Sequence, residues 1–267
     1  MVEKMIKRLY MLVIFIFMYA PIVVLIVFSF NASKSRGHWD GFTFKWYIEL
    51  FKDRQIMKAL YYTVTIAVLA SIISTVAGTI AAISIHDLKE LPKKLLMNIN
   101  YLPVLNPDIV TGVALMTLFI FSQIKLGFAT MLLSHITFDI PYVILAVLPK
   151  LRQLPKNTLE AAMDLGATPF YALRKVILPQ IKPGIMSGLL IAFTMSIDDF
   201  VISFFTTGSG VTNLSITIYS MARKGINPKI NALSTLMFAV VLILLFIANK
   251  KSSKGISDKA KDQIFIE

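Results

Sequence analysis

Six long apolar stretches constrain this chain more than any other feature. They run roughly over Leu9–Phe30, Ala59–Ile85, Tyr101–Ile124, Leu126–Pro149, Gly184–Thr207 and Ile230–Asn249. A helix needs about 20 mostly apolar residues to cross the hydrocarbon core of a bilayer, and each stretch qualifies. The first, second and sixth contain no Asp, Glu, Lys or Arg. The first is too long for a signal peptide, and no small-residue cleavage site follows it, so it reads as a retained span. Composition agrees. Hydrophobic residues make up 56% of the 267, the mean hydropathy is +0.72 and only 16% are charged, against about a quarter in soluble domains. The expected fold is all-α: a polytopic membrane protein of six transmembrane helices.

Cysteine is absent, which excludes a disulfide framework, a thiolate metal site and a cysteine nucleophile. The net charge of +12 is assigned to loops on the anionic cytoplasmic face rather than to nucleic acid. With the N-terminus cytoplasmic, 17 of the 27 Lys and Arg residues fall inside and 10 outside. That bias favours both termini inside. The outer loop 31–58 contains WYIELF at 46–51, where Trp46, Tyr47, Leu50 and Phe51 form one face of a short helix at the membrane surface. The tail 251–267 alternates basic and acidic residues and reads as unstructured, leaving 1–250 as a single transmembrane domain.

Charges within spans are expensive, roughly 2.5–3.5 kcal/mol each at a helix centre on insertion scales, and they usually face a cavity. This chain carries Asp108, Asp139, Asp198 and Asp199 in or beside its spans, with no Lys or Arg in a span interior. Acids without matching bases make a cavity negative, which suits a cation. In SIDDFVISFF (196–205), read as helix, Ser196, Asp199, Ser203 and Thr206 fall on one polar stripe and Asp198 lies about 100° away. Asp199 is then the candidate for holding a cation, and Asp198 for holding the helix or the edge of the path. Phe200 and Phe204 either present ring faces to an ammonium or pack in the core or against lipid. Asp108 follows Pro103, Asn106 and Pro107, which are placed to break the third span near its start. His135 shares a helical face with Asp139 and is expected to bond it or a neighbouring carbonyl. No second His or Cys is near enough for a metal site.

The 150–182 loop is strongly punctuated. Asn157 and Glu160 have the spacing of a capping arrangement. Gly166 is placed to end that helix, and Thr168-Pro169 to start a second one, which Pro179 would end. The loop is thus expected to hold two short helices outside the lipid. Its string EAAMDLGATPFYALRKVILPQIKPG resembles the EAA signature of ABC-importer permeases. Glu160, Ala161, Ala162, Gly166, Val176, Leu178 and Pro179 match that pattern at every spacing. The resemblance implies that this segment docks on a cytoplasmic ATPase whose closure on ATP rocks the spans between outward-facing and inward-facing states. The chain has no GxxxxGK[ST] phosphate loop. It is therefore expected to be a transport subunit rather than an enzyme, with no cofactor of its own and with ATP and Mg²⁺ on the partner.

SIDDFVISFFTTG (196–208), NPDIVTG (106–112) and NALST (231–235) are similar to PotC-type permeases of spermidine/putrescine ABC importers. This resemblance covers most of the chain. It implies a bacterial inner-membrane protein forming a polyamine path lined by Asp199, Asp198 and Asp108, with Ser203, Phe204 and Asp139 alongside. It also implies a second, homologous permease (PotB-type), a pair of ATPase subunits (PotA-type) and an extracytoplasmic polyamine-binding protein (PotD-type). Importers of iron, thiamine, phosphonate and sulfate share the EAA loop, so Fe³⁺ or another small solute stands as the alternative cargo. A self-contained cation channel or secondary transporter is the alternative machine. Gly184 and Gly188 mark a close helix contact, either with the second permease or within this subunit.

Overall fold

The computed structural model describes residues 2–34, 38–155, 157–224 and 228–243. Secondary structure among them is helical apart from one isolated bridge between Asn31 and Phe42. The helices are α1 (Val2–Ser29), α2 (Lys45–Lys52), α3 (Arg54–Asp87), α4 (Glu90–Leu105), α5 (Asp108–Phe121), α6 (Phe128–Arg152), α7 (Thr158–Asp164), α8 (Pro169–Ala172), α9 (Leu178–Asp198), α10 (Val201–Thr206) and α11 (Leu214–Arg223), then α12 (Pro228–Ile243). Among the described residues four runs are long and apolar enough to cross a membrane: Lys4–Ser29, Arg54–Asp87, Phe128–Arg152 and Pro169–Asp198. The sixth expected stretch extends past Ile243, and that part, like the tail 251–267, lies outside the described residues.

The third expected span is not one straight helix. α4 and α5 together are apolar enough to count as a fifth span, but they meet at 104°. The break falls at Asn106-Pro107, where Asn106 is extended at φ −76°, ψ 144°. A proline ring clashes with a helical residue before it and contributes no N–H, so the chain leaves the helix there and restarts at Asp108.

The fifth expected span is corrected at both ends. It begins far earlier, because Pro179 does not end the preceding helix. Residues Leu173–Ile177 form a π-helical turn in which the Leu178 N–H reaches back to Leu173 O. The widened turn lets the helix run on past the proline into α9. It also finishes earlier, since Asp199 is non-helical at φ −58°, ψ 125° and a separate short helix, α10, follows.

The chain divides into two compact units, Met1–Met57 with Ile218–Glu267, and Lys58–Thr217. In the first, Asn31 organises the segment after α1. Its Oδ1 accepts from Asp40 N at 2.9 Å, its Nδ2 donates to His38 O at 2.7 Å, and its backbone oxygen accepts from Trp46 Nε1 at 2.6 Å. Trp46 and Leu50 of α2 are buried, whereas Phe51 is exposed. Only part of the expected apolar face therefore points inward. Lys229 Nζ lies 3.3 Å from Asp53 Oδ2 and 3.9 Å from Glu49 Oε2, which ties the start of α12 to the end of α2.

In the second unit α6 is the central helix. It packs along α9, with Val143, Val147, Leu151, Ile181 and Ala192 at the buried core. Gly184 and Gly188 make this approach possible. A Cβ on Gly184 would lie 2.8 Å from Lys150 Cγ and 3.2 Å from Ala146 O, and one on Gly188 would lie 3.2 Å from Val143 Cγ1. This glycine pair therefore makes a close contact within the subunit. Gly78 of α3 also approaches Val143, where a Cβ would be 2.7 Å from Val143 Cβ. Small residues are how helices approach closely when no water is available to drive packing.

Candidate functional site: a broken helix, its acids and the segment after α6

The break between α9 and α10 is held by polar groups that satisfy its loose backbone. Asp199 turns its carboxylate forward onto α10. Oδ1 accepts from Ile202 N at 3.2 Å and Oδ2 from Ser203 N at 2.7 Å. This is the action of an N-cap, where a short acceptor satisfies the first free N–H groups of a helix and a negative charge meets the positive end of its dipole. Asn213 supports the same turn. Its Nδ2 donates to Asp199 O at 2.9 Å, and its Oδ1 accepts from Ile216 N at 2.9 Å at the start of α11. Sequence reasoning did not single out Asn213, although an Asn directly before an apolar helical run is a recognisable capping signal.

His135 of α6 reaches this break. Its Nδ1 is 2.6 Å from Ser196 Oγ and its Nε2 is 2.9 Å from Ser203 Oγ. Asp199 Oδ2 is 3.5 Å from Nε2. Thus Ser196, Asp199 and Ser203 do come together, but around a histidine and across two helices. The continuous stripe expected on one helix is replaced by a sealed cluster. The space between Thr63, Ile66, Met131, His135, Ser196, Ser203 and Asn213 is too tight for a water molecule. The expected bond between His135 and Asp139 is also replaced by these serine contacts. Asp139 is fully buried, and neither of its oxygens has a hydrogen-bond partner among the described residues.

The remaining acids are accessible. Asp198, the last residue of α9, and Asp108, the first of α5, are both exposed. Asp198 is tethered through its backbone, whose oxygen accepts from Ser215 Oγ at 3.3 Å. Phe204 is about half exposed and stands 5.4 Å from Phe200, ring centre to ring centre. Tyr142, one turn after Phe138 on α6, lies 5.3 Å from it, ring centre to ring centre. It is a further residue that the sequence reading left out. α5 and α10 pack directly. A Cβ on Gly112 would be 3.0 Å from Phe205 Cδ2 and 3.5 Å from Ile202 Cα.

The segment after α6 folds as α7 and α8 around Gly166, whose φ of +87° needs a glycine. Thr168 Oγ1 accepts from Tyr171 N, so it caps α8 as expected. Asn157 precedes α7 but its side chain makes no capping bond. Glu160, Ala161, Gly166 and Pro179 are exposed, while Ala162, Val176 and Leu178 are half-buried. Leu165 is 90% and Phe170 71% exposed at the tip. Behind that tip Leu154, Leu159, Leu173 and Leu178 pack on the α6–α9 core.

Residues 74–254 match the family described as binding-protein-dependent transport system inner membrane component. The chain belongs to this family. The permease is 36% identical over 262 residues to the spermidine/putrescine transport system permease protein PotC of Escherichia coli (strain K12), covering 97% of this chain and 99% of that protein. It is 39% identical over 241 residues to the putrescine transport system permease protein PotI of the same strain, covering 88% and 86%. Among solved structures it resembles a bacterial ABC transporter involved in import of the acidic polysaccharide alginate. The TM-score is 0.73 at 19% identity, over 95% of this chain and 98% of that one. The MetNI methionine ABC transporter, in inward-facing conformations, gives a TM-score of 0.59 at 17% identity, over 74% and 96%. These two likenesses show the fold, an all-helical ABC permease.

Proposed function

We propose that this permease is one transmembrane subunit of an ATP-driven ABC importer that carries polyamines, spermidine or putrescine, into the cytoplasm by alternating access. The observation that carries the cargo is near full-length likeness to two permeases named for spermidine/putrescine and putrescine transport. The charge distribution supports it. A helix C-terminus carries partial negative charge and attracts cations. Asp198 ends α9 and has an exposed side chain, so a cation there meets a carboxylate and a dipole end at once. Asp108 supplies a second carboxylate at the other helix break, and the exposed ring of Phe204 offers a face to an ammonium group. Asp199 and Ser203 form the floor of this path by holding the break. Asp139 is its sealed acid.

The chain crosses the bilayer six times in the proposed arrangement, with α12 in the last span and both termini cytoplasmic. A second, PotB-type permease completes the path, and a PotD-type binding protein delivers cargo from outside. The α7–α8 segment docks on a dimer of PotA-type ATPase subunits, with Glu160 meeting a basic residue and exposed Leu165 and Phe170 entering a groove. Leu159 and Leu173 join that segment to the α6–α9 core. A push at the tip is thereby passed to the two helices that carry Asp139, Asp198 and the His135 contacts. The test is reconstitution with and without the ATPase, with ATP inside the vesicles. Putrescine uptake should require the ATPase and be competed by spermidine. Uptake by the permease alone, or no competition at excess spermidine, would defeat the reading.

A further inference from the structure

His135 is a buried polar side chain to which the proposed path gives no part. Both ring nitrogens are bonded to hydroxyls, and those hydroxyls stand on opposite sides of a helix break: Ser196 in the last turn of α9, and Ser203 in α10. A neutral imidazole has one donor and one acceptor nitrogen, and a serine hydroxyl serves as either, so both bonds form in either tautomer. The backbone at Asp199-Phe200 has left the helical ladder, and its direction depends on side-chain partners. The imidazole is anchored about two turns into α6, which packs on both α9 and α10.

We propose that His135 is a positioning residue of the substrate path: by bridging Ser196 and Ser203 it sets the direction in which Asp198, the residue beside the break, presents its carboxylate. The proposal rests on the reading that Asp198 meets the ammonium group of the cargo. Removing the imidazole deletes the bridge between Ser196 and Ser203 and leaves the break to the Asp199 and Asn213 bonds alone, so the end of α9 gains freedom to turn relative to α10. Asp198 is no longer held toward the path, although its own side chain is untouched.

Two measurements on the complete importer in lipid vesicles test this. The first does not depend on the cargo. This chain has no cysteine, so Asp198→Cys, in an importer whose other subunits are made cysteine-free, gives a single thiol for a cationic, membrane-impermeant methanethiosulfonate. Adding His135→Ala should change its labelling rate about tenfold, the effect of about 1.4 kcal/mol. The second is putrescine uptake. His135→Ala should raise KM about tenfold with Vmax retained, and His135→Gln should recover part of the loss. In the Asp198→Asn background the same His135→Ala change should leave KM unmoved, because the two residues act through one contact. If His135→Ala does not assemble, Ser196→Ala and Ser203→Ala each remove one of the bridging hydroxyls and carry the same two measurements. An unchanged labelling rate overturns the proposal, as do additive KM effects. A wild-type importer that takes up no polyamine defeats the cargo assignment instead, and the labelling rate alone then decides the role of His135.

Discussion

The two adjacent aspartates make different contacts, and asparagine substitution separates them. Asp199 gives one oxygen to Ile202 N and the other to Ser203 N. Asparagine has a single acceptor oxygen. If it keeps the shorter bond to Ser203, its amide group faces the Ile202 N–H, donor against donor. Ile202 is only 1% exposed, so that N–H is left without a partner, which costs about 1–3 kcal/mol. The surviving bond also loses its charge assistance, about another 1 kcal/mol. Asp199→Asn should thus weaken the break by roughly 2–4 kcal/mol and lower the unfolding temperature of the purified complex. Asp198 is exposed, and its tether runs through the backbone oxygen, so Asp198→Asn should change stability by no more than about 0.5 kcal/mol. On the proposed path its effect belongs in transport. Losing a carboxylate that accepts from an ammonium removes about 1.5–3 kcal/mol, a rise in uptake KM of about 10- to 100-fold. Thermal unfolding and the concentration dependence of putrescine uptake, measured on the same preparations, read the two effects separately. A wild-type unfolding temperature for Asp199→Asn together with an unaltered KM for Asp198→Asn would refute this division of labour.

Further perturbations test the packing, the coupling and the sealed acid. Gly78→Ala places a Cβ 2.7 Å from both Cβ and Cγ1 of Val143. It should destabilise the permease by about 1–3 kcal/mol, and Val143→Ala in the same chain should recover part of the loss of unfolding temperature. Glu160→Lys reverses the exposed charge on α7. Like charges at an interface cost several kcal/mol, so uptake should fall at least about tenfold while ATP hydrolysis by the partner persists; unchanged uptake would remove Glu160 from the coupling surface. Asp139→Asn keeps the shape of a fully buried side chain and removes an acid that would cost about 2.5–3.5 kcal/mol if charged in a span. Its unfolding temperature should equal or exceed that of the wild type, and a clear drop would show that the carboxylate makes an essential contact.

What could be read in advance follows the range of the forces involved. Apolar runs became helices because length and hydropathy are summed over a segment. The Asn106-Pro107 break, the Gly166 turn and the Thr168 cap each depend on residues within a few positions of one another. The break at Asp199-Phe200 has no glycine or proline to mark it. It exists because Asn213, 14 residues on, bonds the Asp199 carbonyl and because His135, 61 and 68 residues back, bonds Ser196 and Ser203. A helical wheel drawn over 196–206 cannot contain that information, so it put Asp199 on an open stripe. Pro179 misled in the opposite sense. A local rule ends the helix there, but a π turn just before it absorbs the missing N–H.

The accessible acids share a placement that membrane energetics explains. Asp108 opens α5 just after one break and Asp198 closes α9 just before another, and α5 packs on α10 through Gly112. Non-helical backbone at membrane depth is tolerated only where protein buries it or where it lines a cavity. Each break therefore needs local partners, such as the Asp199 carboxylate and Asn213, to satisfy its freed groups. The same interruption exposes helix ends, whose partial charges act on whatever stands beside them. The exposed acids, Asp108 and Asp198, are the ones at these ends. Asp139, in the middle of unbroken α6, stays sealed, and Asp199 is consumed in making the break possible. At a break, an acid's accessibility thus follows from whether its carboxylate caps the next helix: Asp199 does and its side chain is buried, whereas its neighbour Asp198 is exposed.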